Sequence, residues 1–503
     1  MNFKKFKSGT DIRGVASEGV PNQNVNLTDE VVSAIAEAFV CWCEKKCEKN
    51  AKDLAISIGH DSRISANRIS DALKKVFTFH GVKVYDCGLA STPSMFMSVL
   101  ELPCDASVQI TASHHPFNRN GLKFFTKDGG LESSDISDIL ELAEKATSSL
   151  HLGTGVIIKS DYMKRYANNL CEMIKKSVNA KNYDKPLENF KIIVDAGNGA
   201  GGFYATEVLQ KLGADTTGSQ FLEPDGMFPN HIPNPEDKDA MKSISKATVL
   251  AKADLGVIFD TDVDRGAAVG PDGKEISRNS LVAIASAIAM QGNEGATIVT
   301  DSITSDGLKN YIENSLGGRH HRFKRGYKNV INEAIRLNKM GINCPLAIET
   351  SGHAAMRENY FLDDGAYLVT KIIIKMAKLR KEGKELSELI SSLEHAKDEK
   401  ELRFPITDAN FKVIGEKVIA DLEIFAKENA YKIADDSHEG IRISFDKDNG
   451  NGWLLLRLSV HDPIMPLNIE SNEIGGVKKI QTILKRFFLD KNYKNIDTSV
   501  LWI

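Results

Sequence analysis

The chain is poor in cysteine: seven in 503 residues, an odd number, argue for reduced thiols rather than a disulfide framework. Charge of one sign is also lacking. Lys and Arg total 64 against 68 Asp and Glu, a net charge of −4, so neither a nucleic-acid footprint nor a strongly acidic tail is present. The longest apolar stretch, Leu281 to Met290, is broken by Ser286 and falls well short of the ~20 residues that span a bilayer. The start, Met1-Asn2-Phe3-Lys4-Lys5-Phe6-Lys7, carries charge with no apolar segment after it. No signal peptide is expected, and cytoplasmic residence is.

Several signatures are missing as well. No Gly-x-Ser-x-Gly elbow surrounds Ser113, and nothing nearby offers the acid partner of a hydrolase triad. The glycines around Asn198 lack a complete Gly-x-Gly-x-x-Gly, which favours a tight structural turn over a nucleotide site. Cys41, Cys43 and Cys47 invite a zinc reading, yet they lie between Asp29 and Glu48, where Val31, Val32, Ile35, Ala36, Phe39, Val40 and Cys43 form one apolar helical face. Helix packing is the simpler reading.

What is present is a rhythm. Short apolar runs at Leu54–Ile58, Val82–Tyr85, Val108–Ile110, Ile192–Val194, Val257–Phe259, Thr297–Val299 and Leu346–Ile348 alternate with amphipathic helical runs. Strand, loop, helix recurring in this way predicts α/β layers with largely parallel sheets. At this length three or four domains are expected. The charged stretch from Lys378 to Arg403 reads as a connector. Beyond it, strands near Ile441–Phe445 and Trp453–Leu458 and a helix near Gly476–Phe488 predict a separate α+β domain. Several strands run into polar or Gly-rich loops, among them Gly59-His60-Asp61-Ser62-Arg63 and Asp195 to Gly202. Such loops are where open α/β sheets bind ligands.

Two of these loops carry candidate chemistry. Asp260-Thr261-Asp262-Val263-Asp264-Arg265 follows an apolar run, and its i, i+2, i+4 spacing lets three carboxylates converge on one hard cation, favouring magnesium over zinc. An EF-hand is excluded, because Arg265 and Pro271 stand where that loop needs Gly and Glu. A solvated acidic turn is the alternative. Ser113, in Gln109-Ile110-Thr111-Ala112-Ser113-His114-His115-Pro116, reads either as a turn residue bonded to its own backbone or as a phosphorylatable hydroxyl facing that metal. The basic run Arg319 to Arg325 reads as a solvated face or a wall attracting sugar phosphates rather than a nucleic-acid site.

Taken together these motifs resemble the α-D-phosphohexomutases. Thr111 to Pro116 is similar to the family's phosphoserine loop Thr-x-Ser-His-Asn-Pro, with His115 in place of Asn. Asn120-Gly121-Leu122-Lys123 is similar to Asn-Gly-Phe-Lys, and the aspartate loop to Asp-Gly-Asp-x-Asp-Arg, with Thr261 replacing Gly. Glu349-Thr350-Ser351-Gly352-His353 resembles a sugar-reading Glu-x-Ser-Gly-His loop, Ser8 to Gly14 an N-terminal strand, and Gly326-Tyr327-Lys328 a Gly-x-Lys segment. The distal phosphate loop departs from the family's Arg-x-Ser-Gly-Thr-Glu-Pro. Arg457 and Ser459 remain, but Val460, His461 and Pro466 replace Gly, Thr and the second Arg.

The resemblance implies three similar mixed-sheet α/β domains and a smaller α+β C-terminal domain around a central cleft, with boundaries at 1–155, 156–275, 276–395 and 396–503. It implies Asp260, Asp262, Asp264 and Ser113 as magnesium ligands. Lys123 and His353 would serve proton transfer, and Arg13 and Arg265 phosphate contact. Glu349, Ser351, Lys328, Arg457 and Ser459 would bind substrate. The implied activity converts hexose 1-phosphate to hexose 6-phosphate, glucose or mannose, through a phosphoserine and a sugar bisphosphate that also serves as activator. A hexose-1,6-bisphosphate synthase and a non-catalytic binding protein are the alternatives. The expected partner is the hexose phosphate, with no nucleic acid and no membrane, in a monomer or homodimer.

Overall fold

The computed structural model describes residues 2–145, 153–459 and 462–502. It divides into two compact units: Met1–Ser277, Ser351–Ala355 and Leu362–Ser387 form the first, and Arg278–Thr350, Met356–Phe361 and Glu388–Ile503 the second.

The first unit contains an eight-stranded sheet and a four-stranded one. In the larger, Ala55–His60 is flanked in parallel by Lys83–Leu89 and Ala106–Ile110, because the chain returns each time through a helix, Ala66–Phe79 or Thr92–Glu101. From Ile110 it re-enters the sheet at Arg119, antiparallel. A parallel return needs a crossover of about a dozen residues or more, and this loop is too short. The sheet is therefore mixed rather than largely parallel. The helix Asp29–Cys47 buries Val31, Ile35, Phe39 and Cys43 against it, and burial raises the Cys43 thiol well above its ordinary value, as in a packed apolar side chain. In the smaller sheet Leu255–Phe259 lies parallel to Ile192–Asp195 and antiparallel to Gly266–Val269.

The second unit has a parallel core in which Thr297–Asp301 lies between Arg319–Phe323 and Leu346–Ile348. The apolar stretch found in the sequence forms the helix Arg278–Ala289, buried from Leu281 to Ile288, with Ser286 Oγ donating to the Val282 carbonyl at 2.7 Å. No helix of the described residues is long and apolar enough to cross a membrane. The C-terminal sheet is antiparallel, five strands in the order Asp398–Pro405, Ile464–Ser471, Gly452–Leu456, Ile441–Phe445, Lys432–Ile433. The helices Phe411–Glu428 and Gly476–Lys491 bury their apolar faces in its core.

The charged stretch from Lys378 to Arg403 is not a simple connector. Its beginning continues the helix Gly365–Lys381, and its end belongs to the edge strand Asp398–Pro405, whose Leu402 and Phe404 are buried while the intervening charges face outward. Charged residues on an edge strand block unwanted pairing with other chains, and here they disguise the strand.

In the basic run Arg319 and Lys324 are exposed, as on a solvated face, but Arg322 is not. Arg322 is 2% exposed, donating to Asp306 and Asp436 at 2.8 Å each. Arg442, also 2% exposed, reaches Asp306 at 2.9 Å and lies 3.6 Å above the Trp453 ring. Trp453 Nε1 in turn donates to Glu470 Oε2 at 3.1 Å, and burial pushes Glu470 up to about 7. A carboxyl raised in the folded state holds its proton where the unfolded chain has lost it, so it subtracts stability as pH climbs from the ordinary carboxylate range through the folded value. Glu470→Gln imitates the protonated form. It should melt above the wild type at about pH 9, the gap closing at about pH 5, as followed by calorimetry.

Candidate active site

The buried strand Ala106–Ile110 delivers the Thr111–Ser113 turn, where Thr111 Oγ1 accepts the Ser113 N–H at 2.9 Å. Ser113 has φ 51°, a left-handed conformation that costs an L-residue about 1–3 kcal/mol and persists only where its surroundings enforce it. The residue is 2% exposed. The returning strand Arg119–Thr126 sets Lys123 opposite Gln109, in the strand that leads into the serine turn. Arg13 arrives on the next strand opposite Gly121, where a Cβ would stand 2.2 Å from the Ile12 carbonyl. It pairs with Asp11 at 2.9 Å and donates to the Ala112 carbonyl at 3.4 Å, holding loop backbone.

The aspartate loop joins the antiparallel strands Leu255–Phe259 and Gly266–Val269. It is tight enough to hold Val263 at φ 66°, an outlier for a β-branched residue. The glycine-rich turn after Asp195 supports it: Ala200 N–H donates to the Thr261 carbonyl at 2.8 Å, and a Cβ on Gly199 would lie 2.6 Å from that oxygen. The turn works as a structural buttress. Asp260, Asp262 and Asp264 are each at most 1% exposed, with carboxylate oxygens within 4.8 Å of one another.

Serine and aspartates meet. Ser113 Oγ donates to Asp260 Oδ2 at 3.1 Å, and Arg265 Nη2 lies 3.3 Å from the same hydroxyl. Lys123 Nζ is 3.2 Å from Asp262 Oδ2 and bonds Asp264 Oδ2. His353 Nδ1 is bonded to Asp363 Oδ2 at 2.6 Å and lies 3.8 Å from Asp264 Oδ1. Burial, with Asp264 and Asp262 beside it, pushes Asp260 well above the usual carboxylate range. For Asp264 burial acts the same way, but Lys123, His353 and Arg265 outweigh it and the group is lowered. Asp262 Oδ1 and Asp264 Oδ1 are buried without a hydrogen-bond partner. Converging hard oxygens with unsatisfied lone pairs fit a divalent cation such as magnesium.

Sequence reasoning passed over four members of this site. Thr92, first in the helix Thr92–Glu101, donates Oγ1–H to Asp262 Oδ2 at 2.5 Å and N–H to the Asp262 carbonyl at 2.8 Å. His114 Nδ1 accepts from Arg265 at 2.7 Å, and burial next to that cation lowers the ring far below its ordinary value. Asp363 anchors His353. Arg63 grips the serine loop backbone. Only a helix-capping pattern around Ser91 and Thr92 could have signalled the first, and proximity to Ser113 the second.

The remaining candidates divide. Ser351 is buried in the first unit, while Glu349, Lys328, Arg457 and Ser459 belong to the second. Glu349, 3% exposed, accepts the Gly326 N–H at 2.6 Å. Near it burial and the Glu349 charge push Asp301 up to about 7. Lys328 is the second residue of the helix Tyr327–Lys339. Arg457 Nε stands 3.9 Å from Glu439 Oε1, which also accepts from Ser302, and Ser459 Oγ accepts the Asp462 N–H at 3.3 Å. Pro466 lies in the strand Ile464–Ser471, its carbonyl accepting the Arg457 N–H at 3.1 Å. Val460 and His461 lie outside the described residues.

Three family descriptions match successive stretches: Phosphoglucomutase/phosphomannomutase, alpha/beta/alpha domain I over residues 4–150, domain II over 164–273 and domain III over 277–396. A phosphoglucomutase of Neisseria meningitidis is 28% identical over 477 residues, covering 94% of this chain and 95% of its own. A phosphomannomutase/phosphoglucomutase of Pseudomonas aeruginosa is 26% identical over 492 residues, covering 97% and 96%. The crystal structure of a phosphoglucomutase/phosphomannomutase family protein from Burkholderia thailandensis shares the fold with TM-score 0.77 at 24% identity, over 97% of both chains. With three matched α/β/α domains and a further β-sheet domain at the C-terminus, the chain belongs to the α-D-phosphohexomutase family, the phosphoglucomutase/phosphomannomutases, and is an isomerase of the mutase type.

Proposed function

We propose that this mutase interconverts hexose 1-phosphate and hexose 6-phosphate, glucose or mannose, through a phosphate carried on Ser113 and a hexose bisphosphate intermediate, with magnesium. Relatives named phosphoglucomutase and phosphomannomutase support a hexose phosphate as substrate. The observation that carries the finer reading is the hydroxyl of Ser113 bonded to Asp260 inside a buried cluster of three carboxylates. Asp260, Asp262 and Asp264, with Ser113, would hold the cation, which when bound neutralises charge on the transferring phosphoryl group.

In the forward half, a sugar hydroxyl oxygen forms a bond to phosphorus as the bond from phosphorus to Ser113 Oγ breaks. The hydroxyl proton passes to His353, whose ring Asp363 orients so that Nδ1–H is donated and Nε2 is the basic atom. Arg265 stabilises the serine oxygen as it gains charge. After the bisphosphate reorients, Ser113 Oγ forms a bond to the phosphorus of the other phosphate as the bond from that phosphorus to its sugar oxygen breaks, and the freed oxygen takes the proton from His353. Lys123, which pairs with Asp262 and Asp264, is the other candidate for handling the hydroxyl proton and brings positive charge to the cluster. Glu349, Ser351 and Lys328 read the sugar, and Arg457 and Ser459 the distal phosphate. The four domains are assigned to 1–155, 156–275, 276–395 and 396–503.

One observation favours the bisphosphate synthase as second reading: Pro466 puts a backbone carbonyl and no guanidinium beside Arg457, weakening the grip that would retain a bisphosphate. The test is a panel of hexose and hexosamine phosphates offered to phosphorylated, magnesium-loaded protein. Interconversion without net bisphosphate supports the mutase. Accumulating bisphosphate would replace it with the synthase, and no turnover of any member would leave a binding protein.

A further inference from the structure

The loop Gly59-His60-Asp61-Ser62-Arg63 has no part in the chemistry so far, yet it delivers a cation to the serine turn. Arg63 is 2% exposed. Its Nη1 donates to the carbonyls of Pro116 and Arg119 at 2.7 and 2.9 Å, and its Nη2 to that of His115 at 2.5 Å and to that of Ser113 itself. Asp61, 0% exposed, aims the fork: Oδ2 lies 3.3 Å from Arg63 Nε, and Oδ1 accepts the Arg63 N–H at 2.9 Å. Phe228 stands 5.2 Å over the guanidinium, and a Cβ on Gly226 would meet the backbone nitrogen of Ile64 at 2.4 Å.

A buried ion pair by itself signals neither stability nor function. Here, however, every acceptor of the two Nη groups is a backbone carbonyl of the short stretch from Ser113 to Arg119, which starts at the candidate nucleophile. Ser113 sits in that turn at φ 51°, a conformation that must be enforced from outside. With its carbonyl oxygens tied to guanidinium groups, Arg13 taking that of Ala112, the turn presents its hydroxyl to Asp260 and Arg265.

We infer that Arg63 is a positioning residue for phosphoryl transfer, its planar fork locking the Ser113 backbone so that the hydroxyl oxygen stays aimed at the aspartate cluster. This rests on Ser113 being the phosphate carrier. Lysine has the charge but not the fork, so Arg63→Lys separates geometry from electrostatics. Asp61→Asn, which slackens the aim and keeps Arg63, is the second variant if the first does not fold.

Both variants and the wild type are assayed for kcat and KM with hexose phosphate, for the rate at which a hexose bisphosphate phosphorylates Ser113, and for melting temperature. In a folded variant we expect kcat and the phosphorylation rate to fall together by about 10²-fold, the cost of misplacing a reacting atom by roughly 1 Å, with KM within about 2-fold. A merely structural role would lower melting temperature and leave kcat per folded molecule unchanged in either variant, which would overturn the inference. A wild type that never carries phosphate on Ser113 overturns the carrier reading itself. A phosphorylated wild type matched in rate by its variants overturns only the role of Arg63.

Discussion

Ser113→Ala should lose turnover by about 10⁴ to 10⁶-fold, the range seen when a nucleophile is removed from a site that otherwise stays assembled. The loss is catalytic because the fold has little stake in the hydroxyl. Alanine occupies the left-handed φ of 51° no worse than serine, and Thr111 Oγ1 still accepts its N–H. Asp260 retains the Arg265 N–H at 3.2 Å. Substrate affinity, supplied by other residues, should change little. Steady-state kinetics with melting temperature check this, and a variant within tenfold of wild type would remove Ser113 from the mechanism.

The second large effect has opposite signs in activity and stability. Asp260→Asn keeps the shape and one oxygen acceptor but removes a carboxyl whose ionisation burial, Asp264 and Asp262 oppose. In cation-free buffer the variant should melt above the wild type, since Lys123 and Arg265 compensate the cluster only in part. Added magnesium should reverse the order. A ligand at about 100 times its Kd stabilises the folded wild type by ~2.7 kcal/mol, and the weakened site should respond far less at the same concentration. Turnover should fall about 10²- to 10³-fold with the lost charge stabilisation. Melting curves across a magnesium series settle the point: an unchanged magnesium response in Asp260→Asn would place the cation elsewhere.

These residues were legible before the structure for a physical reason. Ser113 and the aspartates each sit in the loop after a buried strand, and such strands announce themselves as apolar runs ending in polar residues. Lys123 came only from the resemblance of Asn120-Gly121-Leu122-Lys123 to a family motif, and the returning strand Arg119–Thr126 that carries it was not foreseen. Arg63, Thr92 and Asp363 were not legible. Arg63 acts on backbone carbonyls, which every residue possesses, across 50 or more positions of chain. Thr92 meets Asp262 across 170. Neither partner leaves a mark in residue type. The parallel expectation for the first sheet failed at the loop Thr111 to Asn118, whose length forces reversal, and again at the N-terminal strands and the hairpin after Thr126, which pair antiparallel, and the strand Asp398–Pro405 was hidden by charges that protect its edge.

The account turns on one covalent fact. Wild-type protein incubated with magnesium and a hexose bisphosphate, then digested and mapped by mass spectrometry, should carry acid-stable phosphate on Ser113. Acid-labile phosphate on Asp260, or none on either residue during turnover, would contradict it.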